Sequence, residues 1–302
     1  MMNIMVPLSS KEDIDHLCCS GADEFYFGFR DERWDKRFGV FEEINRMSSF
    51  GSKANFHISE ISDIAGRIKK NGKRVYITLN SQMYSAKQKD YIKSIIPELG
   101  TVDGIILSDP TLIETIRDFG LSVTMSTMAG CYNSKIIDFY KKLSINRVII
   151  PRDVSIDNIE KITSAFPDIE FEVFIMRNGC KFSDSQCMSF HARKYGSMCA
   201  CIDYSPCEIC FLGDCSEKFR RETYSNNKLF TKAFHKEACG LCSVKRFEKM
   251  GIKSLKIVGR ADSAKSVEKD IIALKQVILS DAQDVPFYEN CLYGMNCYYN
   301  MY

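Results

Sequence analysis

Cysteine is the residue type whose number and spacing in this sequence point most directly to chemistry. The chain has 14 cysteines in 302 residues, and nine of them fall between positions 180 and 242. Thiolates are soft ligands that suit zinc and iron–sulfur clusters. The dense block therefore predicts a metal centre. Its members are Cys180, Cys187, Cys199, Cys201, Cys207, Cys210, Cys215, Cys239 and Cys242.

The cellular compartment decides between metal ligation and disulfide bonding. Residues 1–15 contain no basic stretch followed by a long apolar run, so we expect no secretory signal and a cytoplasmic chain. Disulfides are rare in the cytoplasm, which makes metal ligation the favoured use of the block. No apolar run approaches the length of a transmembrane helix, so no membrane span is expected.

Zinc and iron differ in the spacing that their ligands need. Zinc ribbons usually contain two Cys-x2-Cys pairs, and Cys207–Cys210 and Cys239–Cys242 have that spacing. A zinc site on these pairs leaves Cys180 and Cys187 unexplained. Histidine is scarce, with four in the chain, and only His191 lies inside the first cysteine run. Ligation by thiolates alone is therefore favoured, and a structural zinc remains the alternative.

The overall composition limits the classes of function. Hydrophobic residues make up 45% and charged residues 26%, which is ordinary for a globular protein and excludes wholesale disorder. The formal net charge is only +2, so composition alone gives no argument for nucleic-acid binding. A local basic run at 220–236, with interleaved aromatic residues, is the best segment for contacting RNA.

Short apolar runs that alternate with amphipathic stretches predict the elements that position the cysteines. Alternation of strands with helices indicates a parallel sheet, and a count of eight favours a closed (β/α)8 barrel over an open sheet. The expected organisation is a barrel over 1–175, a cysteine-rich region over 176–242, and a C-terminal strand, helix and tail over 243–302 that pack on the barrel. The eight predicted strands are Ile4–Pro7, Glu24–Gly28, Ala54–Phe56, Arg74–Leu79, Gly104–Leu107, Ser122–Ser126, Arg147–Ile150 and Phe171–Ile175.

In such a barrel Cys180 follows the eighth strand and lies at the C-terminal mouth, where barrel enzymes keep their active sites. Polar residues at other strand ends are expected to line the same pocket. Arg152 can bind a carboxylate or phosphate through two hydrogen bonds, and Asp109 or Asp153 can move protons. Structural roles compete with each assignment: a helix cap, a turn or an ion pair. The predicted pocket residues are Asn55, Asn80, Asp109, Ser126 and Arg152, and the predicted catalytic set is Asn80, Asp109, Arg152 and Asp153.

Several motifs occur in order along nearly the whole chain. Residues 170–180 read EFEVFIMRNGC, and Cys187 follows after six residues. Residues 21–28 read GADEFYFG, and residues 251–260 read GIKSLKIVGR. These segments resemble the signature patterns of the peptidase U32 (collagenase-like) family. Shorter matches are Ala54-Asn55-Phe56, Thr78-Leu79-Asn80, Asp109-Pro110, Ser126-Thr127 and Pro151-Arg152-Asp153.

The resemblance implies a barrel-like fold and a 4Fe–4S cluster on four cysteines. The better understood family members support dioxygen-independent hydroxylation of ubiquinone precursors or of bases in tRNA and ribosomal RNA, and the peptidase label is older. Carried over by motif, the expected cluster ligands are Cys180, Cys187, Cys199 and Cys239, with Cys201 as the alternative to Cys199.

The chain departs from the family's motifs at four positions. Met176, Met128, Asp153 and Val258 stand where the family has His, Gln, Glu and Glu. A more apolar pocket fits a different substrate, such as a peptide. All four predicted ligand thiols are retained, so the departures bear on the substrate and not on the cluster.

The cysteines beyond those four exceed the need of one cluster. We hypothesise a second cluster or a zinc on some of them or on the tail pair Cys291 and Cys297. The surplus cysteines of the block are Cys201, Cys207, Cys210, Cys215 and Cys242.

The favoured function is therefore an iron–sulfur hydroxylase that modifies an RNA, a quinone precursor or a peptide, with an electron-donor protein as partner. A non-catalytic iron–sulfur subunit of a heterodimer is one alternative, and a homodimer is the other assembly considered. A U32-type peptidase is a third reading. It is disfavoured because the sequence has neither HExxH nor GxSxG and few histidines for a Cys–His pair.

Overall fold

The structure is a closed parallel barrel surrounded by helices. In this computed structural model the described residues are 2–39, 42–46, 55–177, 179–180, 183–187, 238–260, 262–280 and 296–299. The strands are β1 (Asn3–Pro7), β2 (Glu24–Arg30), β3 (Asn55–His57), β4 (Arg74–Leu79), β5 (Gly104–Leu107), β6 (Ser122–Met125), β7 (Arg147–Ile149), β8 (Glu170–Met176), β9 (Ala238–Cys239), β10 (Ser254–Ile257) and β11 (Asn296–Cys297). The helices are α1 (Ile14–Ser20), α2 (Glu32–Phe38), α3 (Ile58–Lys70), α4 (Ala86–Ile95), α5 (Ile113–Asp118), α6 (Ser134–Lys142), α7 (Ile156–Ala165), α8 (Val244–Lys249) and α9 (Ala264–Leu279).

Eight parallel strands close the barrel in the order β1, β2, β4, β5, β6, β7, β8 and β10. Closure is made by β10, which pairs with β1 on one side and with β8 on the other. The predicted (β/α)8 barrel is confirmed. Because every barrel strand is parallel, all their C-terminal ends meet at one mouth.

Two strands differ from the sequence prediction in their place in the barrel. Among the described residues, Asn55–His57 pairs with Gly28–Arg30 at the C-terminal end of β2, whereas Glu24–Phe27 of β2 pairs with β4. Its place in the ring is taken by Ser254–Ile257, which was expected to pack on a finished barrel. The cysteine-rich region therefore follows the seventh strand of the closed barrel, and the eighth comes after it.

The helices form where apolar spacing and capping residues agree. Helix α3 buries Ile58, Ile61, Ile64, Ala65 and Ile68, the three-and-four spacing of one helical face. His57 begins the helix in a capping box with Glu60, so this histidine has the structural role of an N-cap.

Gly21 ends α1 in the left-handed conformation, with φ at 107°. Its backbone N–H donates to the carbonyl oxygens of Leu17 and Cys18. A side chain at this position would strain the backbone, so the glycine fixes the end of the helix.

The interior of the barrel contains charged as well as apolar side chains. Arg147 is 1% exposed and pairs with Glu24, Glu170 and Glu172 at 2.7–3.2 Å. Lys256 Nζ lies 2.8 Å from Glu172 Oε1. Buried charges persist when each is paired and hydrogen-bonded, and this network meets that condition.

None of the helices in the described part of the chain combines the length and apolar character needed to cross a membrane.

Candidate active site at the barrel mouth

The end of β8 brings two of the predicted ligand segments side by side. Met176 pairs in antiparallel register with Cys239 of β9. The Arg177 N–H donates to the Ala238 carbonyl at 2.7 Å, and the Gly240 N–H donates to the Ile175 carbonyl at 2.8 Å. Cys239 therefore lies beside the strand end from which the chain continues to Cys180.

The segment 183–187, which carries Cys187, is attached to neighbouring strand ends. Arg152 follows β7 and binds both carboxylate oxygens of Asp184, each at 3.1 Å. Ser185 donates to the hydroxyl of Tyr132, beyond β6, at 3.1 Å. The bidentate contact between Arg152 and Asp184 fixes the orientation of the segment as well as its position, because a guanidinium and a carboxylate match in geometry.

Arg46 also contacts this segment. Its Nη2 lies 2.9 Å from the Cys187 sulfur, and its Nη1 lies 2.6 Å from the Met128 sulfur. The Arg46 backbone N–H donates to Asn80 Oδ1 at 3.0 Å, and its carbonyl accepts from Arg260 Nη2 at 2.6 Å. Sequence reasoning missed Arg46, since no spacing or motif distinguishes it.

Family-like motifs that are distant in sequence converge around Gly28. A Cβ atom at this position would lie 2.2 Å from Asn55 Oδ1, 2.5 Å from Asn45 Oδ1 and 3.0 Å from Arg260 Nη1. Real Cβ atoms do not approach other atoms so closely, so a side chain at this position would displace these groups. The absence of a side chain allows two asparagines and an arginine to meet at the mouth.

Arg260 is a half-buried cation in this cluster. Its Nη1 donates to Thr78 Oγ1 at 3.2 Å. Burial lowers the pKa of its guanidinium, and Arg46 adds to the lowering. The residue lies at the mouth rather than on a solvated face.

Asn80 and Asp109, two of the predicted catalytic residues, are buried and make structural contacts. Asn80 holds the Arg46 backbone, as described above. Asp109 Oδ1 accepts from the Thr111 N–H at 2.9 Å, and its Oδ2 accepts from the Tyr84 N–H at 2.9 Å. These are the bonds of a helix N-cap and a loop anchor.

The other two predicted catalytic residues, Arg152 and Asp153, are more exposed to solvent than Asn80 and Asp109. Arg152 packs over the Phe174 ring at 4.7 Å. Burial opposes its charge, but Asp184, with further contributions that include Cys180, keeps the pKa of the guanidinium above its ordinary value. Asp153 is exposed beside it, and partial desolvation raises the pKa of its carboxyl. That direction suits a group that must hold a proton.

Ser126, another predicted pocket residue, caps the turn Thr127–Ala129 and accepts from the Met128 N–H at 3.3 Å.

Of the cysteines beyond the four predicted ligands of the cluster, Cys242 and Cys297 lie among the described residues of the cysteine-rich region and the tail. Cys242 lies in the turn Leu241–Ser243, and Cys297 of β11 stands in parallel register with Cys239. Registered residues of parallel strands face the same side of a sheet. The other predicted ligands, Cys199, Cys201, Cys207, Cys210, Cys215 and Cys291, and the basic run 220–236 lie outside the described residues.

The described cysteines do not by themselves complete a metal site. No disulfide joins any two of them. Within the described ranges, no three histidine, cysteine or acidic side chains form a group that could hold a metal ion.

The chain's tail anchors on this side of the barrel. The Tyr299 hydroxyl donates to the Phe174 carbonyl, and the Tyr298 hydroxyl donates to the Arg177 carbonyl. These contacts hold β11 and Cys297 against the end of β8. The sequence signal for this packing was a segment, residues 290–302, rich in tyrosine, asparagine and cysteine.

A family model settles the relationship that the motifs indicated. The model of peptidase family U32 matches residues 9–289. The chain belongs to peptidase family U32. Among its relatives, a tRNA hydroxylation protein P of Haemophilus influenzae is 32% identical over 188 residues, which cover 61% of this chain and 38% of that protein.

Two further relatives match more of this U32 chain. The tRNA hydroxylation protein P1 of Bacillus subtilis is 27% identical over 242 residues, covering 74% of this chain and 54% of that protein. An uncharacterized protease of Methanocaldococcus jannaschii is 25% identical over 231 residues, covering 74% and 50%. The matched regions thus span about half or less of each relative's length.

Proposed function

We propose that this U32 chain holds a 4Fe–4S cluster on Cys180, Cys187, Cys199 and Cys239 and hydroxylates a base in RNA, with tRNA as the substrate class. The observation that carries the proposal is that Cys239 lies beside the end of β8, from which the chain continues to Cys180, while Arg152 holds the Cys187 segment at the neighbouring strand end, where the family-like motifs also meet. The printed names of the relatives from Haemophilus influenzae and Bacillus subtilis support RNA as the substrate.

The donor chemistry of the mouth fits an iron–sulfur cluster. Cys180 and Cys187 are half-buried and Cys239 is buried, so a bound cluster would be largely shielded from water. All three are thiols, which iron–sulfur clusters take as ligands. When bound, such a cluster supplies one-electron transfer.

The other mouth residues have roles that suit a base substrate. Asn55 carries an amide at the mouth, and amides combine a donor and an acceptor and match the edges of nucleobases. Asp153, with its raised pKa, is placed to hold or release a proton at the rim. Arg152 keeps the Cys187 segment in position through Asp184.

The peptidase alternative finds less support at this site. His57 is used as the cap of α3, and His16 pairs with Glu268. Neither of these two described histidines is hydrogen-bonded to a cysteine, as an activated thiol would need, and His191 and His235 lie outside the described residues.

The proposal is tested by nucleoside mass spectrometry of tRNA and ribosomal RNA. A strain lacking this chain is complemented with the wild type, with Cys180→Ser or with Cys19→Ser, and is grown without dioxygen. Cys19 is exposed on α1 and serves as the matched control. We expect a nucleoside carrying one added oxygen atom to appear with the wild type and Cys19→Ser and to be absent with Cys180→Ser.

An unchanged set of nucleosides in the strain without the chain would overturn the RNA assignment. Hydroxylation that continues at the wild-type level with Cys180→Ser would instead assign the chain a role that does not need the cluster.

A further inference from the structure

The guanidinium of Arg46 lies between two sulfur atoms at the barrel mouth. It donates from Nη2 to the Cys187 sulfur at 2.9 Å and from Nη1 to the Met128 sulfur at 2.6 Å. Neither sulfur is an ordinary ion-pair partner for arginine. The contact with Cys187 places a fixed positive charge against one predicted cluster ligand.

The position of Arg46 is fixed by its backbone. Asn80 Oδ1 accepts from its N–H at 3.0 Å, and its carbonyl accepts from Arg260 at 2.6 Å. Asn80 and Arg260 are themselves held at strand ends, since Asn80 directly follows β4 and Arg260 binds Thr78 of β4. The barrel therefore aims the guanidinium at the mouth rather than leaving it to solvent.

A cationic donor beside a thiolate ligand has a definite electrostatic effect. Hydrogen bonds in which one partner is charged are stronger than neutral ones. Donors to the ligand sulfurs tune the potential of iron–sulfur clusters, as do net charge and exposure. Reduction adds one negative charge to the cluster, so a nearby positive charge stabilises the reduced state more than the oxidised state.

We propose that Arg46 is a positioning residue that orients Cys187 and raises the reduction potential of the cluster bound through that sulfur. The inference rests on the proposed iron–sulfur function. In the step concerned, the cluster gains one electron from an external donor such as dithionite, and no bond at Arg46 is made or broken.

The test is a redox titration of the full chain, purified without dioxygen, followed by the cluster's absorption and electron paramagnetic resonance signals. Arg46→Gln removes the charge and keeps a donor, whereas Arg46→Lys keeps the charge. Met128→Leu is the control, because it removes the neighbouring sulfur and leaves the Cys187 contact intact.

For Arg46→Gln we expect the equilibrium constant for reduction to fall at least tenfold, which is about 59 mV toward negative potential for a one-electron couple. Arg46→Lys should shift the potential less, and Met128→Leu should leave it near the wild-type value. If Arg46→Gln fails to retain iron while Arg46→Lys retains it, the positioning role is supported.

Equal potentials and equal iron content in the wild type and both Arg46 variants would overturn the inference and leave the proposed function standing. A wild-type chain that binds no iron would overturn both, so the two failures are distinguishable.

Discussion

Arg147 donates two hydrogen bonds to the carboxylate of Glu24 across the barrel interior, at 2.8 and 2.9 Å. The two side chains are 1% and 0% exposed. Ser254 adds a third donor to Glu24 at 2.7 Å and links this ion pair to β10, the strand that closes the ring. The buried charges therefore help to connect β10, the strand that closes the barrel, with β2 and β7.

Glu24→Gln is expected to destabilise the fold strongly. It removes one of the two fully buried carboxylates paired with Arg147, and breaking one side of a buried pair costs up to about 3–5 kcal/mol. Glu160→Gln is the matched control, because its pair with Arg246 is exposed, and we expect a change within about 1 kcal/mol. Urea unfolding of both variants measures the difference. Equal stabilities for the two would contradict the role of the interior network.

The same carboxylate predicts how stability depends on pH. Burial alone would raise the pKa of Glu24, but the hydrogen bonds and charge of Arg147 outweigh it and hold the pKa below its ordinary value of 4.5. A lowered folded-state pKa gives stability that is present above about pH 4.5 and is lost as pH falls through the folded value. Unfolding free energies measured from neutral to acid pH should therefore fall more steeply for the wild type than for Glu24→Gln. Parallel curves would contradict the assignment.

The fold was largely predictable because apolar runs alternate with capped amphipathic helices. The error concerned Asn55–His57 and Ser254–Ile257, two short runs that look alike in sequence. Whether a short strand becomes part of the closed barrel depends on its pairing with strands distant in sequence. The local residue pattern of the strand does not encode that pairing.

The site was predictable only where family-like motifs marked it. Arg46 acts through its position between Asn80 and Arg260, a tertiary relationship without a sequence signature. Glu24 and Arg147 begin their strands, where charged residues usually mark a solvated edge, so their burial could not be predicted.

The roles of Asp109 and Asp153, the two acids in the predicted catalytic set, can be distinguished by mutation. Asp109 caps a turn and anchors Tyr84, so Asp109→Ala should cost about 1–2 kcal/mol of stability while hydroxylation per folded molecule is retained. Asp153 is exposed, so Asp153→Asn should leave stability unchanged and reduce hydroxylation. Thermal unfolding and nucleoside mass spectrometry on the same preparations report both quantities. The reverse pattern would make Asp109 the acid that takes part in the reaction.

The register of Cys297 with Cys239 raises the question of which sulfur binds iron. The motif match assigns the ligand role to Cys239, so Cys239→Ser should lose the cluster and Cys297→Ser should retain it. Iron content and cluster absorption of the two variants decide the assignment. Loss of iron in Cys297→Ser with retention in Cys239→Ser would move the ligand to the tail.

Iron and acid-labile sulfide per chain, measured on the wild-type protein purified without dioxygen, test the central claim most directly. One 4Fe–4S cluster at the barrel mouth predicts about four of each per chain, with both lost in Cys180→Ser and kept in Cys19→Ser. Stoichiometric zinc without sulfide, or a chain that carries no metal, would contradict the account.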